Sequence, residues 1–252
     1  MAWWQGALIG VAGLWAGTIN TVVGSGTLVT FPMLVALGYP PVTATTSNAI
    51  GLITGTVTGA YGYRHELVGQ RDRLLRYAVA SFFGAIGGTA LLLLLPSDAF
   101  EAIVPVLVGA SVILVVVQPL LSKWLRNRPS GGRSELPLYP LIFLIGVYGG
   151  YFTAAQGIML VGVMGMLISE SLQRLNAYKN ALVAVVNIVA GTIYAFIAPI
   201  SWPVVAILAA SSTVGGLLGA RIGRKLSPKV LRGVIIVIGV TTISWLLLKN
   251  PK

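Results

Sequence analysis

The chain has 252 residues, of which 56% are hydrophobic and only 9% charged, where a soluble domain carries roughly 25% charged residues. Apolar runs of about 20 residues, long enough to cross a bilayer, recur along it, so a polytopic membrane protein is expected and a soluble globular domain is excluded. The net charge of +11 is read as basic loops on the cytoplasmic side rather than a nucleic-acid partner. The chain has no cysteine, which rules out disulfides and thiolate chemistry.

The opening MAWWQGALIG lacks the basic region of a cleavable signal, so the first helix is read as retained. Trp3 to Val23 is apolar, with Gly6, Gly10, Gly13 and Gly17 at helical spacing, a pattern that lets helices pack closely. It runs into Gly24-Ser25-Gly26-Thr27, and the apolar stretch that follows ends at Gly38-Tyr39-Pro40-Pro41. That stretch is too short for a crossing, which predicts a broken or re-entrant hairpin. Val42 to Tyr63 reads as a full span opening on the polar run Thr43, Thr45, Thr46, Ser47 and Asn48. A basic loop with Arg64, Arg71, Arg73 and Arg76 follows, then spans over Tyr77 to Leu95 and Ala102 to Leu121 with the acidic turn of Asp98 and Glu101 between them. The segment 122–136 is basic and broken by Gly and Pro, as a linker is.

Beyond the linker the pattern returns. A shift of 133 positions puts Gly13 on Gly146, Gly17 on Gly150, Gly24 on Gly157, Leu34 on Leu167 and Tyr61 on Tyr194. One residue out of that register, Gly84 falls on Gly216 and Pro96 on Pro228. The period is too long for a solenoid and suits a duplicated transporter half. The second copy, 137–252, is expected to hold a hairpin broken at Gln156-Gly157, then spans over Leu175 to Ile197, Trp202 to Ala220 and Gly233 to Leu248. The first copy is 1–121.

Charge orients the two copies. The loop at 64–76 is basic, whereas its counterpart at 198–201 is uncharged; the turn at 96–98 lacks Lys and Arg, whereas 221–232 is rich in them. Positive loops stay inside, so the copies are read as inverted. All Lys and Arg then lie on the cytoplasmic side except Lys249 and Lys252, on an outer tail, and Lys179, within a span. The fold class expected is all-α: two inverted repeats, each a broken or re-entrant hairpin plus about three transmembrane helices.

Inverted repeats with paired breaks imply a site near the bilayer midplane, where helix N-termini aim N–H groups at an anion. Gly24, Ser25, Gly26 and Thr27 suit that role, although a glycine pair also makes a packing kink. Thr46, Ser47 and Asn48 fall opposite Lys179, Asn180 and Ala181 in the repeat register, which predicts hydroxyls facing an ammonium across the centre. Lys179 either lines the path or snorkels to the surface. The amides of Asn20, Gln156 and Asn187 suit bonds between helices. Glu170 suits an interfacial cap more than a proton-coupling group, and His65 sits in a charged loop. The spans hold no His pair, metal-ligand cluster or buried acid pair, so an enzyme is disfavoured and no metal or cofactor is expected.

AGTINTVVGSGTLVTFPMLVALGYPPVTATTSNAIG resembles the first signature of the TauE/SafE sulfite-exporter family, also called the toluenesulfonate uptake permease family. GVYGGYFTAAQGIMLVGVMGMLISESLQRLNAYKNALVAVVN looks like its second copy. The resemblance implies an inner-membrane carrier of small sulfur-containing anions such as sulfite or sulfonates. It carries the glycine motif onto Gly24 to Gly26 and the Thr-Ser element onto Thr46 and Ser47; in the second copy Gln156-Gly157 and Lys179-Asn180 stand in their places, a more basic pattern. Together these readings predict a secondary transporter of a small anion, working by alternating access with a proton or sodium as coupling ion. The expected site is Gly24, Ser25, Gly26, Thr27, Thr46, Ser47, Asn48, Gln156, Gly157, Lys179 and Asn180. A passive anion channel, or an enzyme acting on a sulfur or lipid-linked substrate, are the alternatives.

Overall fold

A computed structural model describes residues 1–126, 135–222, 233 and 236–237. The described residues form helices and no strands: α1 (Trp3–Val22), α2 (Thr27–Ala36), α3 (Pro41–Gly51), α4 (Ile53–Gly62), a 3-10 turn at Arg64–Leu67, α5 (Arg71–Leu94), α6 (Ser97–Arg126), α7 (Leu138–Tyr151), α8 (Gln156–Leu167), α9 (Leu172–Ile197) and α10 (Trp202–Ile222). Four of these are long and apolar enough to cross a membrane, over Arg71–Leu94, Ser97–Leu121, Leu172–Ile197 and Trp202–Arg221. Their outward faces carry exposed Phe82, Phe83, Val106, Ile113 and Phe196, the surface a lipid bath requires. Of the linker expected over 122–136, residues 122–126 continue α6 and 127–134 lie outside the described residues, as do Arg224, Lys225, Lys229 and Arg232 and most of the span expected over 233–248.

The expected breaks are present, since α1 stops at Val22 before the short α2 and α7 stops at Tyr151 before the short α8. Packing is crossed between the chain's two ends. α1 runs along α10, and α7 along α5; in the repeat register α7 matches α1 and α10 matches α5. Both crossings are backbone-close. A Cβ added at Gly17 would lie 2.9 Å from the Gly216 nitrogen, and one at Gly84 3.0 Å from the Gly146 Cα. Such contact replaces side-chain interdigitation with direct dispersion contact between backbones.

One expected span is divided. Val42 to Tyr63 becomes α3 and α4, with a kink at Leu52. The hydroxyl of Ser212, on α10, donates to the Gly51 carbonyl at 3.0 Å. A side chain inserted into the helical ladder in this way bends a helix. By contrast, α6 runs through both Pro105 and Pro119 without an interruption.

At the basic end of the molecule an ionic network joins distant segments. Glu170 accepts from Arg73 at 2.7 Å and from Arg174 at 2.6 Å. Arg73 also pairs with Glu135, which takes the Tyr77 hydroxyl at 3.1 Å. The helix cap of α9 is Ser171, not Glu170; Glu170 is a bridge between α5 and α9. Glu170→Gln is expected to lower stability by about 1 to 3 kcal/mol, the scale of hydrogen bonds to charged groups. Thermal unfolding in detergent checks this, and an unshifted transition would reduce the network to a surface feature.

Candidate functional site

The site grows from the way α1 ends. Gly24 takes a left-handed φ of 89°, which an L side chain adopts only at a cost. That turn diverts the Gly24 N–H to Ile19 O at 3.0 Å, so the carbonyls of Asn20 and Thr21 lose the helical partners they would otherwise have. Lys179 supplies replacements: its Nζ donates to Asn20 O at 3.1 Å and to Thr21 O at 2.8 Å. Asn180 Nδ2 adds a bond to Thr21 O at 3.3 Å. Gln118, from α6, reaches Val23 O at 3.4 Å. The α1 terminus is thus capped mainly from α9, in the second half of the chain, with a cation at the negative end of the helix dipole.

The second break meets the first. Gly157 N–H donates to Gly24 O at 3.1 Å, and a Cβ at Gly24 would fall 2.7 Å from the Gly157 Cα. The sequence places this break at Gln156-Gly157, but the structure puts it at Phe152 to Ala155, one turn earlier in the repeat register, with Gln156 opening α8. It has no glycine. Thr153 (φ 67°) and Ala155 (φ 58°) adopt left-handed conformations instead, which cost roughly 1 kcal/mol or more each. Thr153 Oγ1 offsets part of this by bonding Gly149 O at 2.6 Å. Phe152 anchors the turn, buried against Phe31 of α2 and Phe100 of α6.

Around the paired breaks lies a set of buried polar groups without partners. Ser25 Oγ, Asn20 Nδ2 and both ends of the Gln156 amide make no hydrogen bond, although Ser25 and Gln156 are each only 1% exposed. Neither α2 nor α8 has a side-chain cap at its start. Asn187, two turns further along α9 from Asn180, is also buried and unpartnered at both ends. Buried polar atoms left unbonded are expensive, and Ser25, Asn20 and Gln156 bring four such atoms to the paired breaks, with others at Thr45, Ser81 and Thr89.

The other expected residues are elsewhere or spent. Asn48 ties α3 to α2, donating to Thr27 Oγ1 at 3.2 Å and accepting from Thr30. Thr46 Oγ1 donates to Pro199 O at 2.7 Å, and Ser47 Oγ accepts from Ser201 N–H at 2.9 Å. Those partners lie beyond the far end of α9, about 28 Å along the helix from Lys179 at 1.5 Å per residue. Hydroxyls and ammonium therefore do not face each other as the repeat register suggests. Ser47→Ala is expected to cost about 1 kcal/mol of stability rather than anion affinity; a raised KM with unshifted melting would return Ser47 to the site. An apolar groove of about 390 Å³ between α6, α7 and α8, lined by Leu114, Leu144, Tyr148 and Met159 among others, carries none of the unpartnered donors.

A family model described as sulfite exporter TauE/SafE matches residues 9–246. The chain belongs to the TauE/SafE sulfite exporter family. It is 27% identical over 236 residues to the probable membrane transporter protein YfcA of Escherichia coli K12, covering 92% of this chain and 86% of that one. It is 24% identical to a probable membrane transporter protein of Haemophilus influenzae (92% and 90% covered) and 23% identical to the probable membrane transporter protein ORF9 of a Sinorhizobium species (93% and 89%). This TauE/SafE chain is a multi-pass membrane transporter and not an enzyme. Among the described residues no group of His, Cys, Asp and Glu is placed to hold a metal ion.

Proposed function

We propose that this transporter carries a small oxyanion, sulfite or an organosulfonate, across the cell inner membrane by alternating access between two inverted halves. One observation carries the reading. The donors of Asn20, Ser25 and Gln156 are buried and unspent where α2 and α8 begin, and Lys179 is the charged residue among the described buried ones. A sulfur oxyanion offers several acceptor oxygens and no donor when ionised. It complements hydroxyl and amide N–H groups, helix N-termini and a nearby positive charge. No buried carboxylate among the described residues opposes it. The meeting of the two breaks through Gly24 and Gly157 supports a site on the seam between the halves, where rocking would expose it to each side in turn. The crossed pairing of α1 with α10 and α7 with α5 supports two-fold related halves.

Counterflow of radiolabelled sulfite into proteoliposomes, with sulfonates and carboxylates as competitors, tests this. Saturable exchange inhibited by sulfonates is the expected result. Conductance far above carrier rates without exchange would indicate a channel, and a chemically altered product would indicate an enzyme; either overturns the reading.

A further inference from the structure

The broken end of α1 frees two backbone carbonyls inside the membrane, and a positive charge has to sit on them. Carbonyls at a helix C-terminus hold the negative end of the dipole. In transporters with broken helices, such unwound carbonyls and half-helix ends are where the coupling cation binds. Here Asn20 O and Thr21 O are already occupied, by Lys179 Nζ at 3.1 and 2.8 Å. Asn180 Nδ2 completes the shell around Thr21 O. The lysine stem reaches them past the crossing of the two breaks: a Cβ at Gly24 would lie 3.2 Å from Lys179 Cδ, and one at Gly157 2.9 Å from it. The side chain is 0% exposed.

We infer that Lys179 is a tethered replacement for a bound coupling cation, so that the ion coupled to anion movement is the proton carried by its ammonium and not sodium. The inference rests on the transport reading above and goes beyond it to the coupling. Lys179 stands on α9, in the second half, and grips α1, in the first, so its charge is felt by both. With the proton bound, a full charge and three N–H donors face the α1 carbonyls. Without it, two N–H donors remain and the charge–dipole attraction is gone, which slackens the tie across the seam. The proton passes to water when the break opens to one side and returns from water on the other.

Among the described residues, the other titratable groups on the surrounding elements lie exposed or are engaged elsewhere. α1, α2, α3 and α8 carry none. On α5, Arg73 and Tyr77 are bound to Glu135, and on α9 Arg174 is bound to Glu170. Tyr178 of α9 bonds Gln70, and Tyr194 bonds Gly150 O. On α7, Tyr148 bonds Ser111 and Tyr151 packs on Phe100. Tyr61 of α4 is exposed, as are Arg64 and His65 of the 3-10 turn, whose Glu66 is partly exposed.

The test is accumulation of radiolabelled sulfite in proteoliposomes under an imposed pH difference, with sodium replaced by choline. A one-proton carrier converts a difference of about one pH unit into roughly tenfold accumulation, and the same value is expected in choline and in sodium. Lys179→Arg keeps a cation on the carbonyls but does not release its proton. In this variant the ratio of pH-driven accumulation to equal-pH counterflow is expected to collapse, with the accumulation itself near onefold. Accumulation that follows a sodium gradient overturns the inference. So does pH-driven accumulation retained by Lys179→Arg, which would mean that the proton travels on bisulfite. The sodium comparison is made on the unaltered chain, so it decides even where the variant does not insert. Sulfite counterflow without any pH-driven accumulation overturns this inference alone, whereas no counterflow at all overturns the transport reading and this one with it.

Discussion

Gly24→Val and Gly157→Val are each expected to abolish transport and to lower thermal stability by several degrees. The two glycines touch backbone to backbone. A Cβ at Gly157 would fall 2.6 Å from the Gly24 Cα and 2.9 Å from Lys179 Cδ, and backbone at that distance cannot be pushed aside the way a flexible side chain can. Overpacking of this kind costs about 1 to 3 kcal/mol. At Gly24 the left-handed φ of 89° adds a conformational term of about 1 to 2 kcal/mol. The Gly157 N–H to Gly24 O bond, 3.1 Å long, is lost in both variants. Melting of the purified variants together with sulfite counterflow checks this. A Gly157→Val protein that transports normally would mean that the contact between the breaks plays no part in the cycle.

Gln156→Leu should do something different: keep or raise the melting temperature while reducing transport at least about tenfold, the equivalent of losing about 1.4 kcal/mol of ligand interaction. Gln156 is 1% exposed with both ends of its amide unbonded, a state that costs about 1 to 3 kcal/mol. Leucine has a similar volume and no polar atom to leave unsatisfied, so the empty protein gains. The anion loses a donor. Such opposition between stability and activity is the signature of a group kept for a ligand, whereas a structural amide would lose both together. Ser25→Ala is expected to follow the same direction with a smaller change. A Gln156→Leu protein with a lower melting point and intact counterflow would remove the residue from the site.

Much of the architecture can be read from the chain because the features that set it are local. Apolar run lengths, Gly24-Ser25-Gly26 and the charge of the loops together predict an all-helical membrane protein with two short broken elements, and α2 and α8 are those elements. The second break is displaced because Thr153 and Ala155 take left-handed conformations without glycine; only their surroundings, Gly149 O and the aromatic contacts of Phe152, make this tolerable. The partnership expected between Thr46-Ser47 and Lys179 fails for a related reason. The repeat register matches Thr46 and Lys179 near the starts of α3 and α9, but the start of α3 packs at the far end of α9. Thr46 and Ser47 found their partners at Pro199 and Ser201. Lys179 shows as a lone charge in an apolar span, yet its ligands are backbone oxygens of Asn20 and Thr21, groups that every sequence contains and none advertises. The bridge through Glu170 joins residues 97 positions apart and leaves no local trace.

The crossed pairing of helices also sets a timetable for assembly. Thr18 of α1 bonds Gly215 O of α10 across a sequence separation of 197 residues. At about 5 to 20 residues per second of synthesis, α1 leaves the ribosome roughly 10 to 40 s before the surface it is built to cover exists. Through that interval its glycine face, shaped for another backbone, has only lipid, the insertion machinery or a stray helix as company. A gene for this protein cut at the linker yields two fragments, neither holding the complementary face of its own first helix. Each is a client for proteolysis until the other arrives.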